Sequence, residues 1–178
     1  MKARLKTIVL SAFCAMSVFT AVTVSSCNDD KCRAIVCAHG GVCTDGACLC
    51  QPGYEGATCT IVNRDRFLGT WNVTENGSIT DQAAYSINIE EGDNITEVEI
   101  KNFRNLLVTN VKAYVKGDTL YIPQQNIDNH TIVGSGVLNF EEPYGEFGQL
   151  VVKYKVTDAN NNVDDFGVDG GDASLWNK

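Results

Sequence analysis

From residue 67 onward, apolar side chains recur at every second position. Trp71 and Val73, Tyr85, Ile87 and Ile89, Val98 and Ile100, Val111, Ala113 and Val115, Leu120 and Ile122, and Leu150, Val152, Tyr154 and Val156 form one set. Glu90, Glu97, Glu99, Lys101, Lys112, Lys116, Lys153 and Lys155 fall in the other. A period of two sends successive side chains to opposite faces of a strand, so the pattern predicts antiparallel strands with one face in a core and one in water. "AYVKGDTLYIP" predicts a hairpin around a two-residue Gly117-Asp118 turn, in which Val115 faces Leu120 and Ala113 faces Ile122. Further strands are expected over residues 132–140, bent at Gly134-Ser135-Gly136, and near 163–168. Seven or eight strands joined by short turns would close into a barrel, which removes unpaired edges.

The first 26 residues follow a different pattern. A basic "MKARLK", an apolar "TIVLSAFCAMSVFTAVTV" and small residues make the three-part layout of a secretory leader. The apolar run approaches the roughly 20 residues a membrane-spanning helix needs, so a retained span is the competing reading. Val24-Ser25-Ser26-Cys27 resembles the bacterial lipobox. That resemblance implies cleavage before Cys27, a diacylglycerol on its thiol and acylation of its amine. One acyl chain anchors weakly, at about 0.8 kcal/mol per buried methylene, whereas two or three anchor stably. Asn28-Asp29-Asp30 resembles the acidic tether that follows the lipidated cysteine in surface-exported lipoproteins of the Bacteroidota.

All eight cysteines lie within the first 59 residues. Such local density marks a disulfide-held module in an oxidising compartment, and the spacing lacks the paired motifs of a zinc site. Cys14 leaves with the leader and Cys27 takes lipid; the other six pair with no remainder. Cys32, Cys37, Cys43, Cys48, Cys50 and Cys59 are spaced C-x4-C-x5-C-x4-C-x-C-x8-C, which alone leaves 15 pairings open. "CRAIVCAHGGVCTDGACLCQPGYEGATC" resembles an EGF-like domain, which implies the bonds Cys32 to Cys43, Cys37 to Cys48 and Cys50 to Cys59. So short a segment cannot offset its chain entropy by apolar burial and needs the cross-links. The calcium-binding variant of that domain is not matched, because Lys31 directly precedes the first cysteine and Gly46 stands where an aromatic is wanted.

The expected organisation is therefore a leader over 1–26, a lipidated acidic tether over 27–31, an EGF-like domain over 32–59, a linker over 60–66 and a barrel over 67–178. "FLGTWNV" resembles the Gly-x-Trp signature at the first strand of calycins, the superfamily of lipocalins, fatty-acid-binding proteins and avidins. The resemblance implies that Trp71 closes one end of the barrel. No counterpart is found of the arginine that caps this tryptophan in lipocalins, and there is no room for a helical lid. The segment more nearly resembles a small calycin-like barrel of Bacteroidota lipoproteins, which implies no established activity. An eight-stranded barrel is either filled by its own side chains or encloses one small molecule. The bulky aliphatic inward set favours filling; Trp71, Tyr85 and Tyr154 would line a ligand cavity if there is one.

Composition removes several function classes. The formal charge is -8, from 14 basic and 22 acidic residues, and Lys2, Arg4 and Lys6 belong to the leader. Such a surface repels nucleic acid and anionic membrane. Only His39 and His130 exist, no cysteine is free after the leader, and no serine sits in a nucleophile elbow, so a catalytic triad has no material. Glu97, Glu99, Glu141 and Glu142 are better explained by solvated strand faces and loops than by a glycosidase pair. Asp158, Asn160, Asn162 and Asp164 alternate as in a calcium loop, yet Val163 replaces its central glycine and Asp169 its glutamate, so a polar hairpin turn is expected. No metal and no cofactor are expected. The reading is an all-β cell-envelope lipoprotein on the outer-membrane surface, not an enzyme. Its membrane partner is reached through the acyl chains on Cys27, and its barrel meets a protein or glycan. The alternatives are a small apolar-ligand carrier and, further off, a carboxylate-based hydrolase.

Overall fold

A computed structural model describes residues 31–140 and 148–178. The leader and its lipobox cysteine, Cys27, lie outside the described residues, as do Glu141 and Glu142. The architecture is all-β, with two 3-10 turns at Asn63–Arg66 and Phe103–Asn105 and no α-helix among the described residues.

The N-terminal module is two small ribbons, β1 (Val42–Thr44) with β2 (Ala47–Leu49) and β3 (Tyr54–Glu55) with β4 (Ile61–Val62). Its hydrophobic side chains are mostly exposed, Val36, Val42, Leu49 and Ile61 among them. Cross-links hold it instead, and they join Cys32 to Cys43, Cys37 to Cys48 and Cys50 to Cys59, the pattern the EGF resemblance implies. Each closes a loop of about ten residues, worth roughly 2–3 kcal/mol through the unfolded chain.

Nine further strands follow: β5 (Gly69–Glu75), β6 (Ala83–Glu91), β7 (Glu97–Lys101), β8 (Val111–Lys116), β9 (Thr119–Ile127), β10 (His130–Asn139), β11 (Gln149–Thr157), β12 (Val163–Phe166) and β13 (Ser174–Asn177). Neighbours from β5 to β11 pair antiparallel in sequence order, and β13 pairs with both β11 and β5. The result is a closed antiparallel eight-stranded barrel. Its eighth strand is split. β12 covers Thr157 to Tyr154 of β11 and β13 covers Val152 to Gln149, so the loop 167–173 stands opposite Lys153. The alternation from the sequence places the expected residues inside: Trp71, Val73, Ile87, Ile89, Val98, Ile100, Val111, Ala113, Val115, Leu120, Ile122, Leu150, Val152, Tyr154 and Val156 are buried in one cluster.

Two local expectations are corrected. The strand expected near 163–168 ends at Phe166, and β13, carrying Trp176, completes its slot. The β8–β9 hairpin turns at Gly117-Asp118 with Val115 opposite Leu120, but its ladder stops at Tyr114–Tyr121, so Ala113 and Ile122 are not partners. Pro123 has no amide hydrogen to continue the ladder. Gln125 bridges the opening instead, its Oε1 accepting from the Lys112 amide (3.0 Å) and its Nε2 donating to the Lys112 carbonyl (2.7 Å).

The segment between the modules is folded and pinned. Arg64 is buried, its guanidinium donating to the carbonyl of Asn94 (2.7 Å) and lying 3.0 Å from the Glu91 carboxylate. Arg66 bridges Glu55 of the EGF-like unit and Asp118 of the barrel, each at 2.6 Å. Gly53 is packed so closely that a β-carbon there would stand 2.7 Å from Ile95. The disulfide-held unit thus sits on the end of the barrel formed by the β6–β7 and β8–β9 turns.

Candidate functional site

At the barrel end beside the EGF-like unit, Trp71 is fully buried and its indole N–H donates to the Phe67 carbonyl (2.7 Å). A cation does cover it: the Lys178 ammonium lies 4.8 Å from the centre of a Trp71 ring and donates to the Arg66 carbonyl (2.9 Å). Lys178 stands where lipocalins use an arginine, since the role needs only a positive charge over the ring.

The far end of the barrel holds a polar cluster that the alternation itself encodes. Counting in twos from Trp71 and Val73 along β5 brings Glu75 to the inner face, where it is 6% exposed. A buried carboxylate is costly unless its oxygens are hydrogen-bonded. Here three hydroxyls donate to it at 2.7 Å: Tyr85 to Oε1, and Tyr154 and Ser174 to Oε2. Ser174 in turn accepts from the Trp176 indole (2.8 Å). Burial first, and then the Glu75 charge and hydrogen bond, push the Tyr85 phenol far above its ordinary pKa. Tyr154 moves the same way, through burial and then the charges of Tyr85 and Glu75. Both phenols stay neutral at physiological pH and serve as donors.

Above this cluster lies the turn after β7. Phe103 and Leu107 point into the core, Phe103 meeting Tyr154 edge-on at 4.9 Å between ring centres. Arg104 fastens the turn: its guanidinium lies 2.8 Å from the Asp164 carboxylate and 4.9 Å from the centre of the Phe166 ring. Asn102, Arg104 and Asn105 all adopt left-handed backbone conformations, with φ of 60°, 60° and 51°. Such strain persists only where surrounding contacts impose it. Burial alone would raise the Asp164 carboxyl, but hydrogen bonds from Thr80 and the Ile79 amide, together with Arg104, hold it below the usual carboxylate range.

Of the three residues expected to line a cavity, Tyr85 and Tyr154 are brought together on Glu75, while Trp71 lies at the other end. Tyr154 is also stacked on Phe166 at 4.4 Å. Glu75, Phe103, Ser174 and Trp176 went unread. Continued alternation would have found Glu75, whereas Phe103 sits in an irregular turn with no period to follow. In the polar tail, Asp158 accepts from the amides of Asn160 and Asn162, which closes a turn between β11 and β12. No group of three or more histidine, cysteine or carboxylate side chains among the described residues is placed to hold a metal ion.

These features define the class: a small disulfide-held module seated on the end of a closed antiparallel barrel. A family model described as a teneurin-like EGF domain matches residues 35–62. The match runs three residues past Cys59 and so takes in β4, which completes the ribbon with β3. An EGF-like domain of the teneurin type with three disulfides is consistent with an extracellular or exported protein.

Proposed function

We propose that the protein is a bacterial cell-envelope lipoprotein, exported and tethered by acyl chains on Cys27, whose barrel is a non-catalytic binding or structural module displayed on the outer-membrane surface. The observation that carries the display role is the occupation of the barrel interior by its own side chains, with Trp71 and Lys178 at one end and Phe103 over the Glu75 cluster at the other. Such an interior leaves recognition to the outer surface. The two carboxylates buried in the barrel are engaged internally, Glu75 by three hydroxyls and Asp164 by Arg104. The anchor rests on Val24-Ser25-Ser26-Cys27 and on the even set of cysteines that remains once Cys27 is set apart.

The test is fractionation of bacteria expressing the full chain or its Cys27→Ala variant, with metabolic acyl labelling. The wild type is expected in the membrane fraction carrying label, and the variant in the soluble fraction without it. Label retained by the variant would overturn the lipoprotein assignment.

A further inference from the structure

Two cavities on the outer face of the barrel, of about 450 Å³ and about 400 Å³, share Thr96 and Tyr114 and so adjoin at these residues, together making the two halves of a trough. One half is bounded by the β6–β7 turn at Asp93 and by Glu97, Lys112 and Pro123; the other is walled by Pro52 and Tyr54 of the EGF-like unit, with Lys116 opposite. Ligand sites favour such junctions between modules.

The wall shared by both halves is an aromatic ring. Tyr121 stacks on Tyr114 with ring centres 5.0 Å apart, and Tyr114 alone of the pair lines both cavities. Opposite Tyr114 in the β7–β8 ladder stands Glu97. The Glu97 carboxylate, the Lys116 ammonium and the Tyr114 hydroxyl have no hydrogen bond or ion pair among the described residues, while Asp93 and Lys112 lie 3.8 Å from each other. A carboxylate only accepts and an ammonium only donates, so an unengaged pair of both kinds suits a ligand whose groups do both. An anion would meet Asp93, Glu97 and Glu99, and a cation would meet Lys112 and Lys116. A hydroxyl answers each without a like-charge contact. A tyrosine offers a rigid, flat apolar surface with a polar tip at low entropic cost.

We propose that this trough binds a neutral oligosaccharide, one sugar ring lying against Tyr114 with hydroxyls on Glu97 and Lys116 and the chain continuing over Thr96 toward Pro52 and Tyr54. The assignment rests on the reading of the barrel as a binding module and names its ligand class.

The experiment titrates the full chain, held in a detergent without sugar headgroups, calorimetrically with cellohexaose, maltohexaose and chitohexaose up to about 10 mM. At least one is expected to saturate. Tyr114→Ala should weaken that binding about tenfold or more while lowering the thermal midpoint by no more than about 4 °C, because the side chain is 42% exposed and the stack on Tyr121 is worth only about 0.2–1 kcal/mol. Amide shifts of the unsubstituted protein should map to Thr96, Tyr114 and Gln51, a readout that does not depend on a variant folding. Absence of saturation with all three sugars, or full affinity in Tyr114→Ala, overturns the proposal. So does tighter binding of hexa-arginine or trigalacturonate at Tyr114. Saturable binding whose shifts cluster at another surface refutes the trough and leaves the binding-module reading standing.

Discussion

Truncating Arg64 tests whether the EGF-like unit is a structural part of the barrel or a passive spacer. The Arg64 side chain is only 10% exposed and reaches across the junction to three carbonyls, those of Asn94 (2.7 Å), Glu97 (3.4 Å) and Gly92 (3.5 Å), and to Glu91. The two longer contacts are at the limit of hydrogen bonding and add little. The Asn94 bond has a charged donor and is worth about 1.5–3 kcal/mol. Glu91 is 62% exposed, so its ion pair contributes about 0–1 kcal/mol after screening. Arg64→Ala should therefore cost about 2–4 kcal/mol, or roughly 5–12 °C in melting midpoint for a chain of this size. Arg64→Lys keeps a point charge but loses the planar fork and should cost about half as much. Both tryptophans, Trp71 and Trp176, lie in the barrel, so their fluorescence reports its unfolding. Accessibility of the cystines to a mild reductant reports the EGF-like unit. Arg64→Ala should lower the first midpoint and hasten the second reaction together. A midpoint within about 2 °C of wild type would refute the coupling.

Three other outcomes follow from single contacts. Glu75→Gln places an amide donor among three hydroxyl donors and should destabilise by about 1–3 kcal/mol, measured by urea titration, whereas a neutral result would mean the hydroxyls have other acceptors. Gly134→Ala would bring a β-carbon to 2.6 Å from the Lys153 carbonyl and into Tyr154, an overpacking of about 1–3 kcal/mol visible as a lower melting midpoint, unlike alanine at Gly170, where nothing lies near. Asp164 has a depressed pKa, so its contribution is present above the unfolded value of about 3.9 and is lost as pH falls through the folded one. Asp164→Asn should flatten the acid limb of the stability profile below about pH 4, and an unchanged slope would refute its role there.

The sequence made the barrel legible wherever a strand keeps its period. The inward sets on β5 to β8 and β11 coincide with the buried cluster because each strand has one wet and one dry face, and a one-residue slip would reverse both. Legibility failed where the chain departs from that rule. The split of the eighth strand rests on Asp165, whose carboxylate accepts from the Val168 and Asp169 amides and turns the chain out after Phe166. That contact has no periodic signature. The Phe103 turn is hidden for the same reason, its left-handed residues being asparagine and arginine instead of glycine. The docking of the EGF-like unit was equally invisible. Asn63, Arg64, Asp65 and Arg66 read as a polar connector, since sequence polarity cannot tell a solvated guanidinium from one that satisfies buried carbonyls across a junction.

Placing a carboxylate inside the barrel makes sense at its closing seam. β5 and β13, the first and last strands of the ring, share only Asn72–Asn177, Val73–Trp176 and Thr74–Leu175, far fewer pairs than the nine that join β10 to β11. The next residues along that seam are Glu75 and Ser174, and their side chains continue the connection where the backbone ladder ends. Tyr85 ties the same carboxylate to β6 and Tyr154 ties it to β11, so one anion joins four strands across the seam where the first and last strands meet. A slip of β13 by two residues would keep its apolar face inward yet withdraw Ser174 from Glu75. Such a slip would also move the buried Trp176 ring off Phe103. The cost of leaving a buried carboxylate short of donors adds to that loss and helps select the register in which the barrel closes.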